Sequence, residues 1–594
     1  NIEDNLFNFD DFKSDLTLWA SKDITQIKVC ELLKVLRTHP DLHALPLTAK
    51  TLLETPRTVE TRKVGNGLYC HLGIRNNLEF LFSQYPELQT SDSLLIQCNA
   101  DGMPSTKSTN DQIWPILISF PNFQYIEPVP VGIYYGKEKP SNVDGYFEDF
   151  VNEINDLHEN KFAFKNNSFT VKVLNFVFDS PAKSLVTCTK GHAGYYCCMR
   201  CKIKGSYHEN KVVLDEFECP PRTNEEFRTK ADTNHHNNNA ESPLEHIPYV
   251  NMVADMVLDY MHLVLLGVVR MILFLFLKGK CLARLPAKSI KLFNEKIQFI
   301  RTHIPSDFSR KPRSITDLLR WKATECRLFL LYTSPYLLPS IVSNSVLKHF
   351  LSLHVAIRIL VSKTYASISN IRFARTLLDY FVRNFKSLYG RSNMTFNVHG
   401  LLHIVDDVER FGPLDDYSAF RYENFLQTCK KLLRKAASPL QQIYKRLSER
   451  RNSFKRKDLP QKISNFKEIK KNIHLPSSIQ HPIFKSFQLN SSTISCCSPN
   501  NTVVMDTGEI VRIQYIGSKM NEKHVFGYKF EVLENVYTTP MPSIELGIYK
   551  ASGLESSLTS WPIEKIKSKA MAIPYETDKE NSTYYVAELL HHEC

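Results

Sequence analysis

Between Ser93 and Asp179 the hydrophobic pattern changes period in an order that few folds accommodate. SLLIQCNA (93–100), QIWPILISF (112–120) and VPVGIYYG (129–136) are short apolar runs of strand length. VDGYFEDFVNEINDLHEN (143–160) places apolar residues on one helical face, and TVKVLNFVF (170–178) returns to strand. The order is β-β-β-α-β. Asp101 directly follows the first strand and Asp179 the fourth. If those two strands are parallel neighbours, both carboxylates stand at one edge of the sheet. A short helix follows Asp179, with Pro181 in its first turn, where a missing N–H costs nothing.

This pattern predicts an α/β protein with an RNase H-like mixed sheet. Met252 to Asp259 reads as a fifth strand, and 206–250 as a polar loop. A long helical tract then interrupts the core, as an inserted all-α domain would. The expected organisation is a helical region over 1–90 and a first part of the core with a CxxC over 91–262. The all-α insertion covers 263–395, and 396–450 carries a histidine pair and a glutamate helix that complete the core. A basic linker (451–495) and a β-rich terminal domain (496–594) follow.

The glutamate is Glu423, in AFRYENFLQTCKKLLRK. Tyr422, Leu426, Cys429 and Leu433 form an apolar stripe there, and Glu423, Gln427, Lys430 and Arg434 share the neighbouring face. Asp101, Asp179 and Glu423 would offer the hard oxygen ligands that two Mg²⁺ (or Mn²⁺) ions need for phosphodiester cleavage, although three acids out of 62 read by themselves as caps and surface charges. Between Lys430 and Lys457 lie eleven Lys or Arg residues, including Lys431 and Lys435. Such a run tracks phosphates or serves nuclear import, and otherwise is a solvated helix and linker.

A second constellation is softer. Cys198-x-x-Cys201 offers two thiolates, and His399-x3-His403 offers two imidazoles one helical turn apart. Together they would hold one structural zinc ion. A local alternative uses Cys188, His192, Cys198 and Cys201.

Composition narrows the classes. The chain has 594 residues, 43% of them apolar and 23% charged, as in globular proteins. A net charge of +12 favours a polyanionic partner. Fourteen cysteines are too sparse for a disulfide scaffold and fit a reducing compartment. The most apolar run, Met256 to Leu277, carries Asp259, His262 and Arg270, so it reads as a buried helix rather than a membrane span. The chain opens at Asn1, as a fragment lacking an upstream DNA-recognition module would.

An ordered set of motifs resembles the CACTA-type (En/Spm-like) DNA transposases. They are ADGMPSTKSTNDQIWPIL, FVFDSPAK, GHAGYYCCMRCKIKG, LDYMHLVLLGVVR, RKPRSITDLLRWKATECRLFLLYT, NVHGLLHI and SAFRYENFL. The chain is more distantly similar to the catalytic core of the V(D)J recombinase, with a CxxC after the second aspartate and a histidine pair before the glutamate. The histidine spacing here is one residue tighter. The resemblance implies an Asp-Asp-Glu triad at Asp101, Asp179 and Glu423, and favours the split zinc site. It implies that His262 approaches the scissile phosphate. It also implies that Trp321 stacks on a flipped base, beside Arg320, Lys322 and Arg327 on phosphates; a buried indole is the plainer reading of Trp321.

The function so implied is a nuclear polynucleotidyl transferase or endonuclease. It would cut double-stranded DNA at transposon terminal repeats and join the freed 3′-hydroxyl to target DNA, as a dimer or larger assembly. Neither a membrane nor a small-molecule substrate enters this reading. The rival is a domesticated, non-catalytic DNA-binding or chromatin protein on the same scaffold. A host nuclease of the RNase H-like class is the third reading.

Overall fold

The computed structural model describes residues 7–590 apart from 23, 106–109, 239, 436, 455–461, 470–474 and 576–582. The chain is mixed α/β with several sheets and divides into two units. The first comprises 1–189, 227–256 and 419–458; the second comprises 190–226, 257–418 and 459–594.

The first unit is built on one mixed sheet. Its strands are β1 (Arg62–Val64), β2 (Gly67–His71), β3 (Ser93–Ala100), β4 (Met103–Pro104), β5 (Gln112–Ser119), β6 (Val129–Gly136), β7 (Phe162–Phe164) and β8 (Asn167–Phe176). They run in the order β1-β2-β6-β5-β3-β8-β7, with β4 paired to β5. β3 and β5 are buried almost throughout, which is why they read as continuous apolar runs rather than alternating ones. β3 is antiparallel to β5 and parallel to β8.

Helices α1 (Phe9–Ala20), α2 (Gln26–Leu36) and α3 (Ala49–Leu52) enclose a small core of their own around Leu16, Val29, Leu33 and Leu52. α4 (Ile74–Gln84) precedes β3. α5 (Val143–Glu159) makes the crossover from β6 to β8, capped by Asn142, whose side chain accepts from Gly145 N. It buries Tyr146, Phe147, Phe150, Val151, Ile154 and Leu157, the stripe that a parallel crossover requires. α6 (Ser180–Val186) follows β8.

Three expectations change here. The segment 1–90 contains the β1–β2 hairpin as well as helices. Gly65 turns it at φ +54, and a Cβ there would meet Ser141 Oγ at 2.5 Å. The polar segment 206–250 contains a two-stranded hairpin, Ser206–His208 with Lys211–Val213. Glu209 and Asn210 turn it, both at positive φ. The fifth strand over Met252–Asp259 is reduced, among the described residues, to one parallel bridge between Phe176 and Met256.

In the second unit the helical tract and the terminal β region belong together. The helix Met261–Lys278 is long and apolar enough to cross a membrane, but 56% of it is buried inside the protein, as in a core helix. Strands between Ile463 and Glu588 form a ten-stranded sheet. The expected basic linker therefore contains strand structure, at Ile463–Glu468, Gln480–Leu489 and Ser492–Ser495. Phe466, Phe484 and Phe487 pack there, between cations that hid the pattern.

The fully buried Arg358 joins helix to sheet. Its guanidinium donates to the carbonyls of Leu331, Leu546 and Glu588 at 2.7–3.0 Å. One turn earlier on the same helix, His354 donates to Leu330 O at 2.6 Å and lies 3.0 Å from the Tyr537 hydroxyl. His349 donates to Phe381 O at 2.8 Å.

Burial pushes His349 down to about 4 and His354 to about 3. In the unfolded chain both take up a proton near 6.5. Their contribution is complete above that pH and is lost as pH falls from about 6.5, by roughly 1.4 kcal/mol per pH unit for each. Urea denaturation at pH 5 should show the unit about 4 kcal/mol weaker than at pH 7. A His349→Gln/His354→Gln variant should show a much flatter dependence.

Candidate functional site

The acidic edge belongs to the first unit. In the parallel pair, Cys98 stands opposite Phe176, and Val177 N donates to Cys98 O at 2.8 Å. Asn99 Nδ2 closes the same pair by donating to Val177 O at 2.6 Å. Asp101 lies three residues beyond Cys98, and Asp179 three beyond Phe176. The two aspartates thus occupy matched positions past the C-terminal ends of neighbouring parallel strands.

Each carboxylate has a local structural role. Asp101 Oδ1 accepts from Gly102 N at 2.7 Å. Glycine is required next to it: a Cβ at Gly102 would lie 2.4 Å from the Trp114 indole. Asp179 is the N-cap of α6, its Oδ1 accepting from Ala182 N at 2.7 Å. Both carboxylates are half-buried. Lys183, one helical turn after Asp179, is only 5% exposed. The sequence reading passed over this lysine, although DSPAK places it on the face of the cap.

Glu423 sits in the first turn of the helix Phe420–Leu432, in the same unit. Its neighbour Tyr422 is buried, with its hydroxyl 2.7 Å from Ser119 Oγ. Ser119 pairs with Gln97, four residues before Asp101 and so about 13 Å back along β3. Arg421 donates to the carbonyls of Gln124 and Ile126. These anchors tie the helix that carries Glu423 to β5 and to the segment before β6. Among the described residues, one group of three or more Cys, His, Asp or Glu ligand atoms comes within 4.8 Å, and it is not the acids.

That group is Cys198, Cys201, His399 and His403, in the second unit. Cys201 Sγ lies 3.6 Å from Cys198 Sγ and 3.2 Å from His399 Nε2; the two Nε2 atoms are 3.2 Å apart. A tetrahedral zinc ion with its usual bond lengths sets its ligands about 3.3–3.8 Å apart. The residues fit a Cys2His2-type site.

The histidines do not share one helix. His399 ends the short helix Phe396–Gly400 and His403 caps Ile404–Phe411, so a turn brings them together. Arg200 N points at Cys198 Sγ (3.4 Å). The Arg200 side chain forms a buried ion pair with Asp407, which also accepts from Leu258 N at 2.8 Å. This pair welds the cysteine loop to the histidine segment; nothing in the spacing alone announced it. Although burial opposes ionisation, hydrogen bonds from Cys201, His399 and His403 hold Cys198 well below the ordinary thiol range, and Cys201 is raised by its bond to Cys198. Among the described residues Cys188 and His192, of the local alternative, are not in this group: the Cys188 thiol faces the carbonyls of Leu185 and Glu241, and His192 is exposed.

The other site residues divide by burial. His262, in the second unit, has Nδ1 2.6 Å from Asp259 Oδ2, with Asp259 buried. Trp321 is 2% exposed, donates to Ser314 O at 3.1 Å and packs on Phe329, so it is a core indole and is not placed to stack on a base. Trp321→Ala should cost about 3–5 kcal/mol in denaturation. Trp321→Phe should cost less and leave DNA affinity unchanged in a filter-binding titration.

Arg327 is likewise engaged, paired with Asp415, whereas Arg320 and Lys322 are exposed. Lys431, Arg434 and Lys435 are exposed and Lys430 half-buried. The helix ends at Leu432, so Arg434 is not on the Glu423 face. Further along the basic tract, Arg446 pairs with buried Glu449, and Arg451 lies 4.9 Å over the Phe80 ring. Lys455, Arg456 and Lys457 fall outside the described residues.

A family model described as a domain of unknown function (DUF8592) matches residues 468–588, within the span of the ten-stranded sheet. No curated protein matches this chain.

Proposed function

We propose that this chain is a DNA transposase of the Asp-Asp-Glu type, a nuclear enzyme that cuts transposon ends and joins them to target DNA as an oligomer. The observation that carries the reading is the register of β3 on β8, with Asp101 and Asp179 at matched strand ends. An RNase H-like assignment is supported by the strand order β6-β5-β3-β8 with the parallel bridge to Met256 beyond it. The crossover helix α5 between β6 and β8 agrees with that assignment.

The donor set at this edge is carboxylate oxygen, which suits Mg²⁺. When bound there, such ions supply Lewis acidity at the attacking and leaving oxygens of a phosphodiester. Asp179 keeps one oxygen on its cap and has the other for a ligand. Glu423 is the third carboxylate, on a helix that the Tyr422–Ser119 hydrogen bond ties to the sheet. A zinc ion on the Cys2His2-type cluster has a structural role, its four ligand positions being filled by protein.

A second reading is favoured by the local roles of the two aspartates, one held on Gly102 N and one capping α6: a non-catalytic DNA-binding protein on the same scaffold. Purified protein incubated with supercoiled DNA bearing the terminal repeats separates the two. The transposase nicks it only with Mg²⁺ or Mn²⁺. Salt-dependent binding without nicking, indifferent to alanine at all three acids, establishes the second reading instead.

A further inference from the structure

The cysteine loop carries more exposed chemistry than holding a metal needs. Five cations and one carboxylate lie between Lys190 and Lys211. Two of the cations are committed: Arg200 is buried against Asp407, and Lys202 pairs with Glu226. Lys204 and Lys211 remain exposed, with Lys211 Nζ 3.4 Å from Asn393 Oδ1. Two aromatic rings of this loop are exposed, Tyr195 at 45% and Tyr207 at 64%.

The rings stand on a rigid frame. Gly205 N donates to Tyr195 O at 2.7 Å, which fixes the strand carrying Lys204 beside Tyr195. Gly205 also packs tightly on the hairpin, where a Cβ would lie 2.4 Å from Val212 Cγ1. Val212 pairs with Tyr207 across the hairpin, and Lys211 with His208. Cys198 and Cys201, between the two tyrosines, tie the frame to the histidines.

A ring left in water adds little to the core, and each of these stands close to an exposed lysine, Tyr195 to Lys204 and Tyr207 to Lys211. From these residues we infer that the cysteine loop is a binding surface for single-stranded nucleic acid. Tyr195 and Tyr207 stack on unpaired bases, and Lys204 and Lys211 meet the phosphates. Stacking needs a free π-face, which a base inside a duplex does not offer, while every unpaired base offers one. Five cations against one carboxylate favour a polyanion, and the exposed rings favour one that carries bases. This inference stands apart from the acidic edge: an Asp179→Asn protein should bind single strands normally whether or not it nicks.

The test is fluorescence anisotropy with full-length, zinc-loaded protein, using labelled oligo-dT, oligo-rU and a mixed-sequence duplex at raised salt. Tyr195→Ala and Tyr207→Ala should each weaken single-strand binding roughly tenfold. The phenylalanine variants should bind normally, since they keep the stacking face. Lys204→Ala should reduce the salt slope by about one ion. Duplex affinity should be the same in all of them. Tighter oligo-rU binding makes RNA the ligand, and tighter oligo-dT binding makes it DNA; both uphold the surface. Unchanged oligo-dT and oligo-rU affinity in a Tyr195→Ala/Tyr207→Ala protein that keeps its zinc overturns the inference. So does an equal loss for single strands and duplex.

Discussion

Asp179→Asn is expected to abolish Mg²⁺-dependent nicking, by roughly 10³-fold or more, while leaving the fold unchanged. The expectation follows from the two roles of this carboxylate. As N-cap of α6 it needs only an oxygen that accepts from Ala182 N, and asparagine supplies one. As a metal ligand it needs the negative charge, which asparagine lacks. Losing one such ligand removes several kcal/mol of charge stabilisation, equivalent to that rate factor. Asp179→Ala loses both roles, so it should be about 1 kcal/mol less stable as well as inactive. Nicking assays and denaturation curves on the two variants separate chemistry from capping. If Asp179→Asn nicks at the parent rate, Asp179 is only a cap.

The second large effect belongs to the Cys2His2-type cluster. Cys198→Ser or His399→Ala should remove zinc and lower the stability of the second unit by several kcal/mol. Isolated zinc fingers draw about 10–16 kcal/mol from the metal. The loss should be smaller here because other contacts survive: Cys197, Ile203, Leu214 and Phe396 form a core around the ligands, and Arg200 still pairs with Asp407. Arg200→Ala should itself cost about 3–5 kcal/mol, since it leaves Asp407 buried without its partner. Elemental analysis and thermal unfolding read both quantities. Cys188→Ser serves as the control and should retain one zinc ion. A Cys198→Ser protein with a full equivalent of zinc and an unshifted Tm would contradict the assignment of this cluster.

The sheet was legible wherever its strands were buried on both faces. SLLIQCNA and QIWPILIS could be read as strands because almost every residue is apolar, and α5 because its stripe has helical spacing. The β1–β2 hairpin was missed because it depends on one left-handed glycine and strands of only three and five residues. The strands at 463–489 were missed because lysines on their solvent face resemble a linker.

Ligand types were legible at the metal cluster, since CxxC and HxxxH are local spacings. Their second layer was not, because Arg200 and Asp407 are 207 residues apart and neither looks unusual by itself. Trp321 illustrates a different limit. An indole among cations suggests stacking, but burial is decided by Ser314 and Phe329, which sequence spacing does not place. The anchor of the Glu423 helix was not legible either, because Tyr422 and Ser119 are 303 residues apart.

The central claim is that Asp101 and Asp179, brought level by the register of β3 and β8, share a divalent cation. Its most direct measurement is Mn²⁺ binding followed by electron paramagnetic resonance, in the parent protein and in Asp101→Asn, Asp179→Asn and Glu423→Gln. The account predicts bound Mn²⁺ in the parent, its loss in either aspartate variant, and weaker binding in Glu423→Gln. Mn²⁺ binding that survives in a folded Asp101→Asn/Asp179→Asn protein would contradict it.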